Sequence, residues 1–284
     1  MAVVFDRVRP DLGGVPETLL IPLWARAQEQ TRSEPLIIDP ASEQIVSALD
    51  YDFSRFTSKH VDAENFCIRS RVMDSLVSSI LKDSAPRPVV EFGPGLDTRF
   101  HRLGHLAKRW TEIDFPEVIA LRERFFQTDA SRRMISGSML DQAWMDELRG
   151  STDEPPLFIA EGVFYFFSRT QIRDFLVRLK TEFPGSSIVF DAVSAFYLKL
   201  SNLQHPLANS RLEFALSPGA TDIPGWDPEM SIRNYIGFGD SPWYDDVMHR
   251  FTWWKRYAAR LLRPARHAFM VVQTEFLNGS VPQC

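Results

Sequence analysis

The chain has 284 residues and a formal net charge of −5, with 44% hydrophobic and 24% charged residues. This is the balance of an ordinary globular protein with room for a sizeable core, which excludes a disordered or fibrous chain. No basic block suits a nucleic-acid partner, and no apolar run approaches the ~20 residues of a membrane span.

Residues 1 to 16 read as irregular, and Met1 to Pro10 lacks the apolar stretch of a signal peptide. Cys67 and Cys284 are too few and too far apart for a disulfide framework, so a soluble cytoplasmic protein is expected. Thr18 to Gln30 carries Leu19, Leu23, Arg26 and Gln30 at helical spacing, with Leu20, Trp24 and Ala27 widening the apolar face. Arg26 lies at the edge of that face. Asp39-Pro40 opens a second helix, Ala41 to Leu49, and Tyr51 to Lys59 is a polar-aromatic connector. A third helix runs from Ala63 to Leu81 with Met73, Leu76, Val77 and Ile80 as its stripe. Counting back four from Met73 puts Arg69 on the buried side, whereas Arg71 falls on the polar face.

From Pro88 strands alternate with helices. The predicted strands are Val89–Phe92, Trp110–Asp114, Arg133–Ser136, Leu157–Ala160 and Ser187–Asp191. The predicted helices are Thr98–Ala107, Pro116–Gln127, Gln142–Leu148 and Arg169–Phe183. Pro116 suits a first helical position, Asp141 an N-cap, and Ser168 with Gln171 a capping box. Later come strands at Met230–Ile236 and Ala268–Leu277, with a helix at Phe251–Leu262 between them. The expected fold is α/β: a doubly wound, seven-stranded, mostly parallel sheet in one domain spanning 1–284. Within it we expect a helical cap (1–85), a cofactor-binding core (86–192), a substrate-side insertion (193–229) and the last two strands (230–284).

The chemistry concentrates at Glu91-Phe92-Gly93-Pro94-Gly95, where a strand runs into a glycine turn and then a helix. Such a turn offers backbone N–H groups to a nucleoside-bearing ligand, and Gly93 and Gly95 let it approach without a Cβ in the way. The dinucleotide fingerprint needs a third glycine at 98, where Thr98 stands, and no P-loop lysine follows. Asp114 closes the second strand twenty-one residues after Gly93, near the ~20-residue interval of a ribose-binding acid. Glu112 is the reserve candidate. Glu91 before the turn and Asp114 after the second strand, two acids without a cationic phosphate cradle, suit S-adenosylmethionine better than NAD, since it is positive at sulfur and carries no phosphate.

Val89 to Phe100, Glu112 to Val118 and Phe158 to Val163 resemble the leucine carboxyl methyltransferase superfamily, as does Val15 to Leu23. The likeness runs from about residue 15 to 192. It is nearest the bacterial branch of polyketide O-methyltransferases of the tetracenomycin type. The resemblance implies a Rossmann-like class I methyltransferase using S-adenosylmethionine. It further implies that Arg69 pairs with the methionyl carboxylate, with Arg26 in a similar role. Gly93 and Gly95 would line the cofactor, Asp114 would hold its ribose, Ser138 and Met139 its adenine, and Glu161 would lie beside its methionine portion. Asp97 either faces the cofactor or caps the helix that follows. The family carries a tyrosine five residues after the glutamate. Here that residue is Phe166, with Tyr165 before it, and both are expected on the acceptor side.

Methyl transfer to an ionised carboxylate needs no base, whereas a phenol profits from one. His205 and Asp191 are the weak candidates, with His60 and His249 behind them, and no catalytic residue or metal ligand is assigned. Phe196, Tyr197, Phe214, Trp226 and Trp243 offer aromatic walls for an acceptor. The expected function is O-methylation of a carboxylate or hydroxyl on a small, apolar or aromatic molecule. The alternatives are carboxyl methylation of a protein C-terminus and cofactor binding without turnover.

Overall fold

The computed structural model describes residues 7–10, 17–58, 63–150, 154–204, 212–250, 253, 256 and 267–277. Its strands are β1 (Pro88–Phe92), β2 (Arg109–Asp114), β3 (Arg132–Ser136), β4 (Leu157–Ala160), β5 (Ser187–Val193), β6 (Met230–Gly237) and β7 (Phe269–Phe276). They form one sheet in the order β3-β2-β1-β4-β5-β7-β6. β7 alone runs antiparallel to its neighbours, pairing β5 on one side and β6 on the other. The chain steps outward from β1 to β3, then crosses back to β4. The carboxyl ends of β1 and β4 therefore flank the topological switch point, where open α/β sheets bind ligands.

Two apolar layers sandwich the sheet. One joins its Val89, Trp110, Ile159 and Val271 side to helices α1 (Leu20–Glu29), α2 (Pro40–Ala48) and α4 (Ala63–Lys82). The other packs Phe92, Phe158 and Phe190 against α7 (Ala143–Arg149) and α8 (Arg169–Glu182). Phe92 stacks on Phe158, with ring centroids 5.7 Å apart, and meets Trp144 edge-on. Of the expected cap, α1, α2, α3 (Ser54–Ser58) and α4 are seen. α3 falls within the stretch read as a connector.

Several helices are shorter than the sequence suggests. After β1, α5 (Arg99–Leu103) stops at Gly104 and passes into a single 3-10 turn, and the Phe100 ring fills the space where a Cβ on that glycine would lie. α6 (Pro116–Arg122) ends where the Arg122 side chain turns inward to Gly95 O and Glu112. Asp141 does not cap α7. Its Oδ2 accepts from Ser138 N, 2.8 Å away, and Gln142 takes the cap position without a side-chain bond. The Ser168–Gln171 capping box is present. Beyond β5 the insertion carries α9 (Ala195–Gln204) and α10 (Asp222–Trp226), and α11 (Tyr244–Met248) follows β6. His60, His205, Cys284 and most of the helix expected over Phe251–Leu262 lie outside the described residues. Among the described residues no helix is long and apolar enough to cross a membrane, and no acid, His and Cys cluster could hold a metal ion.

Candidate functional site

The glycine turn after β1 adopts left-handed backbone at Gly93 (φ +56) and Gly95 (φ +52). A Cβ on Gly93 would lie 2.6 Å from Val163 Cγ2. Gly93→Ala is therefore expected to cost about 1–3 kcal/mol from strain alone, read as a lowered Tm; an unchanged Tm would contradict this tight approach. Two side chains hold the turn from opposite directions. Arg122 Nη1 donates to Gly95 O at 2.6 Å and to Asp97 O at 3.1 Å. Asp114 Oδ2 accepts from Gly95 N at 2.9 Å, while Oδ1 accepts from Phe115 N at 2.8 Å. Burial pushes the Asp114 carboxyl up despite these two donors. The β3 end abuts it, since Gly137 N donates to Asp114 O, so Ser138 and Met139 follow directly beside this acid.

The residues that replace the glycine-rich continuation are polar or charged. Thr98 is fully buried, and its hydroxyl donates to Asp39 Oδ2 at 2.6 Å. Asp97 Oδ1 accepts from Arg99 N at 2.8 Å just before α5, whose N-cap Thr98 makes no side-chain capping bond. Arg99, fully buried, joins four acids: Asp74 on α4, Glu91 on β1, Asp97 in the turn and Glu161 after β4. Arg102 repeats part of this pattern with Asp39, Asp74 and Asp97. Asp39 also starts α2 by accepting from Ser42 N, so one carboxylate ties the helical cap to the glycine turn.

Glu91, behind the turn, accepts from Arg99 Nη1 and Trp110 Nε1. Burial outweighs Arg99 and raises its carboxyl from the ordinary 4.5 to about 7. The folded protein then keeps a proton that the unfolded chain has released. The resulting stabilisation is full below about pH 4.5 and is lost as pH climbs to about 7. Glu91→Gln is expected to flatten the stability profile across that window in urea titrations at several pH values. A slope equal to the parent's would refute the assignment.

Across the crevice, Glu161 follows the last residue of β4. Its Oε1 accepts from Arg69 Nε at 2.9 Å and Ser70 Oγ at 2.8 Å, and its Oε2 from Arg99 Nη2. Burial would raise this carboxyl, but the Arg99 and Arg69 guanidiniums outweigh it and hold the group below its ordinary value. Gly162 is also left-handed (φ +72), and a Cβ there would lie 3.3 Å from both terminal nitrogens of Arg69. The guanidinium thus lies against the bare Gly162 backbone, with the Phe66 ring 5.3 Å away. Asp191 on β5, buried, accepts from Gly162 N and from the Tyr165 hydroxyl, with Arg69 Nη1 3.5 Å away.

Other predicted residues are placed unevenly. Arg26 is fully buried rather than at an edge. It bonds Asp39 Oδ2 at 2.9 Å and Leu96 O at 3.4 Å, and lies 3.7 Å from Asp97. Its Nη1 is buried without a hydrogen-bond partner. Tyr165 turns inward and is buried, because its hydroxyl finds Asp191, whereas Phe166 next to it is 44% exposed. Asp191 is bonded inside the fold and does not stand open as a base. Glu112 is consumed by Arg122 and Arg132, which takes it out of the ribose role. Phe196 is exposed and Tyr197 packs on Phe269, while Phe214 is fully buried core behind Phe164. Trp226 lies under Arg169, and Trp243 under the Arg71 guanidinium, 4.9 Å away. Sequence reasoning missed Asp39, Asp74, Arg99, Arg102 and Arg122; Gly162, beside the predicted Glu161, carried the one available signal. A groove of about 710 Å3 lies elsewhere, between α2, α4 and α5, walled by Ile38, Lys82, Arg102 and Trp243. Gly93, Asp114 and Glu161 do not line it.

The fold is similar to that of solved methyltransferases. Magnesium protoporphyrin IX methyltransferase ChlM of Synechocystis, solved with S-adenosylhomocysteine, superposes with a TM-score of 0.50 at 10% identity, covering 83% of this chain and 93% of that one. The methyltransferase in complex with the Trm112 activator of Haloferax volcanii gives 0.51 at 12% identity, covering 80% and 98%. Those likenesses concern the Rossmann-like class I methyltransferase fold. In sequence, the tetracenomycin polyketide synthesis O-methyltransferase TcmP of Streptomyces glaucescens is 28% identical over 89% of this chain and 97% of its own length. The S-adenosyl-L-methionine-dependent methyltransferase dpfgK of Gibberella zeae is 27% identical over 90% and 95%. The profile of leucine carboxyl methyltransferase matches residues 20–180, a stretch that contains the glycine turn, Arg26, Arg69, Asp114 and Glu161. With fold, switch point and more than half the chain in agreement, this protein belongs to the leucine carboxyl methyltransferase family, in a TcmP-like branch.

Proposed function

We propose that the protein is an S-adenosylmethionine-dependent O-methyltransferase acting on a carboxylate or hydroxyl of a small, apolar or aromatic molecule. One observation supports this most: the turn at Gly93 and Gly95 stands between a strand-end carboxylate at Asp114 and the Glu161–Arg69 pair across the switch point. The cradle fits the cofactor. Gly95 carries no Cβ, and a hypothetical one would meet Leu19 Cβ at 3.6 Å, so the start of the cap lies beside the turn. Arg26 brings a buried, unpartnered Nη1 to the same place. In the joined network the guanidiniums of Arg26, Arg69, Arg99 and Arg102 are matched by Asp39, Asp74, Asp97 and Glu161, while burial pushes Glu91 and Asp191 toward their neutral forms. A network so balanced offers no net positive cradle for a pyrophosphate.

In this reading Asp114 accepts from the ribose diol, and Ser138 and Met139 meet the adenine. Arg69 and Arg26 face the methionyl carboxylate, and Glu161 lies beside the amino group. The cofactor supplies an electrophilic methyl on a good leaving group. The chain has to align an acceptor oxygen with it and keep water out. Exposed Phe166 and Phe196 offer apolar surface for that acceptor, and Tyr197, packed on Phe269, is the third aromatic assigned to it. Similarity to TcmP supports an oxygen acceptor on a small natural product. The test is an assay with methyl-labelled S-adenosylmethionine over paired aryl acids and phenols. Labelled ester or ether with release of S-adenosylhomocysteine is expected. Cofactor binding without transfer to either set would overturn the O-methyltransferase reading.

A further inference from the structure

Asp191 sits at the inner wall of the crevice with both oxygens engaged. Oδ1 accepts from Gly162 N at 2.7 Å, and Oδ2 accepts from the Tyr165 hydroxyl. Arg69 Nη1 stands 3.5 Å from that same Oδ2, beyond hydrogen-bond geometry, although nothing but the tyrosine hydroxyl shares the oxygen among the described residues. Both groups thus approach Oδ2: the phenol makes the hydrogen bond, and the guanidinium stands off as a 3.5 Å ion pair without one. Arg69 is fixed instead through Nε to Glu161, between the Phe66 ring and Gly162. Among the described residues its Nη2 makes no hydrogen bond, and it is not sealed from solvent.

We infer that Tyr165 is a positioning residue whose hydroxyl, by occupying Asp191 Oδ2, keeps the Arg69 guanidinium from closing on that carboxylate and leaves its outer edge free for the carboxylate of the bound cofactor. The inference rests on the proposal that S-adenosylmethionine binds here with its amino-acid end at Arg69. The physical reason is a difference in strength. A charge-assisted Arg–carboxylate bond is roughly twice as strong as a neutral one, so an Asp191 without its phenol donor would draw Arg69 in. A buried acid left short of a donor adds to that pull. The pair would then satisfy itself and lose its affinity for an external anion. Gly162 belongs to the same device, because its N–H fills the other oxygen and its missing side chain leaves the channel for the guanidinium.

The test compares two probes by calorimetry: S-adenosylhomocysteine, which carries the amino-acid carboxylate, and 5′-methylthioadenosine, which lacks it. Tyr165→Phe is expected to weaken S-adenosylhomocysteine at least fivefold and leave 5′-methylthioadenosine within twofold, with Tm not lowered. Adding Asp191→Asn removes the competing charge and is expected to restore most of the S-adenosylhomocysteine affinity. Equal weakening of both probes would mean a merely structural tyrosine and would overturn the inference. So would unchanged S-adenosylhomocysteine binding, or a double variant no better than Tyr165→Phe. If the parent protein binds neither probe, the cofactor reading itself fails, and that result is distinct from the others.

Discussion

Replacing Arg99 by leucine is expected to cost roughly 3–5 kcal/mol of stability at neutral pH, the loss associated with removing one partner of a buried ion pair. The side chain is fully buried and is the common partner of Asp74, Glu91, Asp97 and Glu161, drawn from α4, β1, the turn and the end of β4. Leucine leaves these carboxylates facing one another with less positive charge between them. The pH dependence gives the sign. Arg99 helps hold Asp97 well below its ordinary value and Glu161 below its own, against burial in both cases. Such acids contribute stability above their ordinary pKa and lose it as pH falls. The variant lacks that contribution, so its deficit against the parent should be largest at neutral pH and shrink below about pH 4.5, as the acids take up protons. Urea titrations at pH 7.5 and 4 would check this. A deficit below about 1 kcal/mol at the higher pH would mean that the network is a bystander.

Asp114→Ala should weaken S-adenosylhomocysteine binding at least tenfold, which is roughly 1.4 kcal/mol. The carboxylate accepts from Gly95 N and Phe115 N, so alanine removes both the proposed ribose acceptor and one of the two supports of the turn. Asparagine separates the two roles. It keeps an oxygen for one backbone donor and loses the charge that a ribose diol prefers, so an intermediate affinity is expected. Arg69→Ala should lose a similar factor through the other end of the ligand, without the change in the turn. Titration calorimetry on these variants reads the effects directly, and parent-like affinity in Asp114→Ala would remove this acid from the site.

The parts of the site that were legible in the sequence are those whose signal is local. A β-branched run, two glycines and an acid at a fixed interval lie on one βαβ unit, so β1, the turn and Asp114 could be placed together. Glu161 was legible because an apolar four-residue strand ends in it. Arg69 could be placed on a buried face by counting along one helix. The network beneath the turn was not legible, because its partners are brought together by the fold alone. Asp74 and Arg99 are 25 residues apart, and Arg69 and Glu161 are 92 apart. Arg99 and Arg102 in isolation read as the polar face of a surface helix. Tyr165 was misjudged for the same reason: only the register of β5 beside β4 shows that Asp191 waits beneath it. α6 ends at Arg122, whose side chain turns into the core to meet Glu112, a long-range contact that local helix propensity does not encode.

The β1 turn, Asp114 and the Glu161–Arg69 pair are expected to hold one cofactor along the switch point. A crystal structure with S-adenosylhomocysteine tests it most directly. The ribose hydroxyls should lie within hydrogen-bond reach of Asp114, the thioether should pass between Gly93 and Glu161, and the carboxylate should meet Arg69. Ligand density in the groove beside Trp243, or a ribose turned away from Asp114, would contradict the account.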